Sequence, residues 1–273
     1  MSFRMYDFNF LETVSAQLVE TLDTLPASTL DSRMLSELSQ FQRQERSRQG
    51  IYLLMHDEKP VYLGKANDLS NRLAGHLRKL QGRLHIDRGT LSFKAILLDR
   101  SMSTAANEEL LIAAFSKTHR GMWNGKGFGS KDPGKNRDRT EPSAFDRDHP
   151  IIRDFPVVLD NTETVLSLFV KLKNQLPFLF RHEKLPKEIA DIPLDLQQVD
   201  RQAEAVLRHA ISKFPSEWHG AILSYGIVVY AGLDAYWHTT NVFASPGSGP
   251  LPSPINNPNR KQQKDNPSFA DDE

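Results

Sequence analysis

Two short apolar runs, Ile-Tyr-Leu-Leu-Met-His at 51–56 and Val-Tyr-Leu-Gly at 61–64, flank Asp57-Glu58-Lys59-Pro60. Runs of that length, rich in aromatic and branched residues and divided by polar turn-formers, predict an antiparallel hairpin. The next segment narrows the choice of fold further. Leu69, Leu73, Leu77 and Leu80 recur at three or four residues, so a helix capped by Asn67 or Asp68 presents an apolar stripe right after the hairpin. A third strand is predicted at Leu91–Leu98. A further helix is predicted over roughly 105–117, capped by Ser103 or Thr104, with Leu111, Ala114 and Phe115 inward. The result is an α/β fold: a small mixed, mostly antiparallel sheet of three strands, flanked by helices.

The flanks are simpler. Leu11, Val14, Leu18 and Leu22 predict a leading amphipathic helix, interrupted by Pro26, with a short second helix at Met34–Leu38. Phe41–Gly50 is polar and basic and reads as linker or helix end. Beyond Trp123 the chain is Gly-rich and basic and is expected to form an extended loop. Helices are predicted at Thr164–Leu179 and Leu196–Phe214, and a strand-like run at Ala221–Tyr230. The Pro-, Asn- and Ser-rich stretch from Ser245 reads as a disordered tail. The expected divisions are a helical segment at 1–49, a core with its loop at 50–155, a region of unassigned role at 156–244, and the tail at 245–273.

Composition removes several function classes. With no cysteine in the chain, a thiol nucleophile and Cys-ligated zinc or iron–sulfur sites are excluded. No apolar run approaches the ~18 residues of a membrane span, and the first residues lack a basic-then-apolar leader, so a cytoplasmic protein is expected. Formal net charge is zero, yet residues 41–140 hold nineteen Lys or Arg against ten Asp or Glu. The remainder carries the compensating negative excess. A basic block between acidic flanks is compatible with a polyanion partner.

Particular motifs sharpen this. Residues 50–64 read Gly-Ile-Tyr, nine residues, then Tyr-Leu-Gly. Lys65 follows, then Leu69, Arg72, Leu73 and His76, then Glu108 ahead of Leu111-Ile112, then Trp123-Asn124. In this order the pattern resembles the GIY-YIG nuclease superfamily, with Leu in place of the middle Ile of the second triplet. Downstream, Gly127-Phe128-Gly129, Asp132-Pro133-Gly134, Arg137 and Ser143 through His149-Pro150 are similar to that superfamily's type II restriction endonucleases, as is the leading FLETVSAQLVETL.

The resemblance implies metal-dependent cleavage of double-stranded DNA. Phosphodiester hydrolysis needs an activated water, charge stabilisation on the phosphate oxygens and help for the departing oxygen. Arg72 and His76, four apart, share one helix face, expected beside the leucine stripe and free to reach a cleft. Arg72 offers a planar fork for phosphate. In the family pattern Tyr52 is the general base, Tyr62 its hydrogen-bonding support, and Asn124 the closing site residue. A phenol with pKa near ~10 needs cationic neighbours to act as base, a field that a metal, Lys65 and Arg72 would supply. Two core tyrosines and a surface lysine are the plainer alternative. Glu108, with Glu109 as the alternative carboxylate, would hold one Mg²⁺ or Mn²⁺ per site. Lys126, Lys131, Lys135, Arg137 and Arg139 are expected to contact DNA, as base readers or phosphate contacts, in a homodimer on a palindromic site. A repair or mobile-element nuclease and a non-cleaving DNA-binding module are the other readings. His209, His219 and His238 are too scattered for a metal site, and Gly127-Phe128-Gly129 lacks the Lys-Ser/Thr of a nucleotide-binding loop, so no nucleotide cofactor is expected.

Overall fold

The computed structural model describes residues 5, 9–99, 111–113, 115, 121–129, 138, 141–232, 239 and 241–249. Its contacts divide the chain into two units, one of Met1–Gln81 with His85–Gly129, the other of Gly82–Leu84 with Ser130–Glu273.

In the first unit, α1 (Phe10–Thr24) starts at Asn9, whose side chain accepts from the Glu12 amide. Val14, Leu18 and Leu22 form its buried row. Pro26 ends the helical run as predicted, but the next segment does more than restart it. Ser28–Thr29 (β1) pairs with the later strand β4 (Leu91–Leu97) and makes a fourth, two-residue edge strand that two polar residues do not announce. The second helix, α2 (Ser32–Gln44), is also longer than the apolar run Met34–Leu38 predicts. Asp31 caps it through the Met34 amide, and the polar Gln-rich end continues it because Gln and Arg are good helix formers, with Gln42 alone of its last residues buried.

The hairpin is present as β2 (Gly50–His56) and β3 (Lys59–Ala66), with strand order β1-β4-β2-β3 and β2 in the middle. Its loop holds two residues rather than four. Asp57 and Glu58 both take positive φ, 50° and 63°, the mirror-image turn that matches strand twist. Ile51, Leu53, Met55 and Leu63 join Val14, Leu18, Leu22, Leu111 and Phe115 in one core, so α1 and the helical residues 111–113 and 115 cover one face of the sheet. The period of two sends Tyr52 and Leu54 to the other face, with Tyr62 and Gly64 opposite them.

Helix α3 (Leu69–Gln81) buries Leu69, Leu73, His76 and Leu80. Here the structure corrects the periodicity. His76 is inside the stripe and 5% exposed, whereas Leu77 is only partly buried. The imidazole is accepted there because it has a buried polar partner, described below.

The second unit contains a sheet of order β8-β6-β7-β5, from β5 (Leu179–His182), β6 (Trp218–Leu223), β7 (Gly226–Ala231) and β8 (Asn241–Ala244). The run predicted as one strand at 221–230 is thus a hairpin folded at Ser224-Tyr225. Helices Val165–Gln175 and Ala203–Ile211 fill its core. Both are shorter than predicted, since Leu176-Pro177 ends the first and Leu179 already belongs to a strand. Among the described residues, no helix is long and apolar enough to cross a membrane.

Candidate active site

The two motif glycines explain how the hairpin can hold its tyrosines. Gly64 lies opposite Tyr52. A Cβ there would meet the Tyr52 hydroxyl and stand 2.6 Å from its Cζ and 2.9 Å from Tyr62 Cε1. Only a residue without a side chain lets the Tyr52 ring lie across β3. Gly50 is similarly confined, because a Cβ would run into the Ile96 carbonyl oxygen and come within 2.6 Å of Leu69 Cδ1. The spacing of the motif is therefore a packing requirement between β2, its two neighbouring strands and α3.

Within that space a polar cluster forms. The Tyr52 hydroxyl and His76 Nε2 are 2.7 Å apart, and Arg72 Nε donates to the same phenol oxygen at 3.3 Å. The three rings of Tyr52, Tyr62 and His76 stand within 5.4–6.1 Å of one another. Tyr52 has no exposed surface and Tyr62 is 7% exposed, while Arg72 is partly exposed. An anion approaching the site meets the guanidinium before the phenol.

Charge states follow from this packing. Burial, reinforced by the Arg72 and Lys79 charges, pushes the His76 imidazole down to about 3. It is neutral at physiological pH, so Nε2 can accept a hydrogen bond from the Tyr52 hydroxyl. Burial works against the charge on Arg72, but the Tyr52 and Tyr62 oxygens outweigh it and raise its pKa. Arg72 stays cationic.

Two contributors escaped the sequence reading. Phe128 is fully buried and stacks on His76, with centroids 4.9 Å apart and planes at 20°. It also meets the Tyr62 ring edge-on at 4.9 Å. Lys79 Nζ stands 4.8 Å over the Phe128 ring and donates to the Phe128 carbonyl at 2.7 Å. Spacing offered a signal for Lys79, since 72, 76 and 79 share one helical face. Phe128 stands in the Gly127-Phe128-Gly129 motif but was not singled out as a site residue, because the site rings it packs on, Tyr62 and His76, lie more than fifty residues earlier.

The other predicted residues are elsewhere. Asn124 grips the outer edge of β3: its Oδ1 accepts from Leu63 N at 3.0 Å, and its Nδ2 donates to Leu63 O at 2.8 Å. Its carboxamide thereby acts as a one-residue strand. Lys65 pairs across the hairpin with Ile51 and shares that residue's face, opposite to the tyrosines. Lys126 is exposed on the turn after Trp123. Lys131, Lys135, Arg137, Arg139, Glu108 and Glu109 lie outside the described residues. Among the described residues no group of three His, Asp or Glu could hold a metal ion. The cluster offers phenols and an engaged imidazole, so a hard cation beside it would depend on a carboxylate such as Glu108.

Residues 50–168 match the family model described as the Eco29kI GIY-YIG domain. No curated protein matches the chain.

Proposed function

Because residues 50–168 are a GIY-YIG nuclease domain, we propose that the protein is a cytoplasmic type II restriction endonuclease that hydrolyses double-stranded DNA at a specific sequence. The observation that carries this reading is the chain Arg72–Tyr52–His76, in which a cation, a phenol and a neutral imidazole share one buried hydroxyl. A scissile phosphate draws the Arg72 guanidinium away from its long bond to Tyr52, since a charged phosphate oxygen is the stronger acceptor. Tyr52, favoured as phenolate by the nearby charges of Arg72 and a bound cation, would then take the proton of the attacking water, while the neutral His76 Nε2 keeps the phenol oxygen oriented. Tyr62 and Phe128 hold the imidazole plane, and Lys79 fixes Phe128. Glu108 would hold one Mg²⁺ or Mn²⁺ per site, and the bound cation would neutralise charge on the phosphate and the departing oxygen.

One such site cuts one strand. A homodimer on a palindromic sequence would supply two, because protein and site then share a two-fold axis. Lys126, Lys131, Lys135, Arg137 and Arg139 would grip the DNA, with the arginines suited to guanine. Incubation with supercoiled plasmid tests the reading. With Mg²⁺ the plasmid should give discrete fragments whose sequenced ends share one motif, and EDTA should stop the reaction. Intact plasmid under both conditions would refute it.

A further inference from the structure

Helix α2 ends in an arrangement that glycine usually serves. The Arg46 amide donates to the Arg43 carbonyl at 3.3 Å, and the Ser47 amide to the Gln42 carbonyl at 3.2 Å. This closure requires a left-handed residue between them. Here that residue is Arg46, with φ 53°. A side chain with a Cβ is disfavoured in that region, so the helix end is less stable than a glycine would make it. Residues held in such conformations concentrate at functional sites.

The same turn is fixed from several sides. The Gln42 side chain, 3% exposed, donates to the Arg48 carbonyl at 2.7 Å and accepts from the Ser70 amide at 3.2 Å. Ser47 Oγ donates to the Leu98 carbonyl at 2.6 Å, and the Leu69 amide to the Arg48 carbonyl at 3.0 Å. A rigid loop therefore carries Arg43, Arg46 and Arg48 around an open recess of about 450 Å³, completed by Gln49 and Asn67. Little neutralises the three charges. Arg48 reaches Asp68 at 3.8 Å with its side chain 72% exposed, Arg43 meets the Ser39 hydroxyl at 3.5 Å, and Arg46 has no ion pair among the described residues. Glu45 shares the segment but makes no ion pair with them among the described residues, so the three cations still repel one another unless a further anion lies among them.

We propose that Arg43, Arg46 and Arg48 form a clamp for the DNA phosphate backbone, outside the scissile site and tied to it through the first turn of α3. This rests on the nuclease reading above. The Arg48 carbonyl holds the Leu69 amide, three residues before Arg72, so the clamp is anchored to the helix that carries Arg72. The recess is polar and open, which suits phosphate rather than base edges, and planar guanidinium forks suit phosphate oxygens. Such contacts position the duplex without reading its sequence.

The test uses the full chain and a fluorescent duplex of about 30 base pairs in metal-free buffer, titrated across NaCl concentration. Arg46→Gly relieves the backbone strain and removes the charge, so its thermal midpoint should rise while its affinity falls about tenfold. The slope of log K against log salt should become shallower by about 0.9, and by about 2–3 with Arg43→Gln and Arg48→Gln added, equally for unrelated duplexes. A folded triple variant with the wild-type slope would overturn the clamp, and so would a loss confined to one sequence. In either of those cases plasmid cleavage by the wild type would leave the nuclease reading standing. Wild-type protein that binds no duplex would overturn both.

Discussion

Acidification from pH 7 to pH 5 should cost the folded protein about 2 kcal/mol through His76 alone. In the unfolded chain this imidazole takes up its proton near pH ~6.5, whereas in the buried cluster it does so only at about 3. Below 6.5 the unfolded state therefore binds a proton that the folded state refuses. The stability present above 6.5 is lost as pH falls through that window. Each pH unit between the two values costs ~1.4 kcal/mol, so the one and a half units down to pH 5 give about 2. His76→Gln keeps a polar side chain but cannot titrate, so it should lack this component while sharing every other acid effect. Urea unfolding of the two proteins at pH 7 and pH 5, followed through the transition of the hairpin unit, measures the difference of differences. Equal losses in both would show that His76 titrates in the fold much as a free imidazole does, and the neutral acceptor for Tyr52 would be gone.

Gly64→Ala drives a methyl group into the buried Tyr52 ring and should destabilise by about 1–3 kcal/mol, with cleavage lost even where the protein remains folded; a thermal melt and a plasmid assay together check it. Asn124→Ala removes both bonds to Leu63 and should lower stability by about 1–2 kcal/mol, seen as faster hydrogen exchange along β3; unchanged exchange would place Asn124 outside the edge-holding role. Glu58→Gly should stabilise by about 0.5–1 kcal/mol, because its φ of 63° suits glycine, and a lower melting point would contradict the turn geometry.

The hairpin, helix α3 and strand β4 were legible because local periodicity settles them. Their apolar residues alternate or recur at helical spacing, and polar residues end them. The site was legible to the extent that it sits on these elements, at Tyr52, Tyr62, Arg72 and His76. What escaped depends on distant partners. Ser28–Thr29 becomes a strand only because β4 offers an edge, and Phe128 becomes part of the site only by stacking on His76. His76 itself displaced Leu77 from the buried row because Tyr52 supplies a hydrogen bond, which no hydrophobic pattern encodes. Asn124 was legible as a motif residue, but its grip on the backbone of Leu63 was not, since edge protection belongs to the assembled sheet.

In the proposed chemistry a single phenol oxygen, shared by Arg72 and His76, is the point that the attacking water would meet. Single-turnover cleavage by Tyr52→Phe at saturating DNA and Mg²⁺ tests it most directly, because the substitution removes one hydroxyl and leaves the ring that Gly64 accommodates. The rate should fall by on the order of 10²–10⁴ while duplex affinity holds. Cleavage at the wild-type rate would mean that another group activates the water, and the chemistry assigned to this cluster would be wrong.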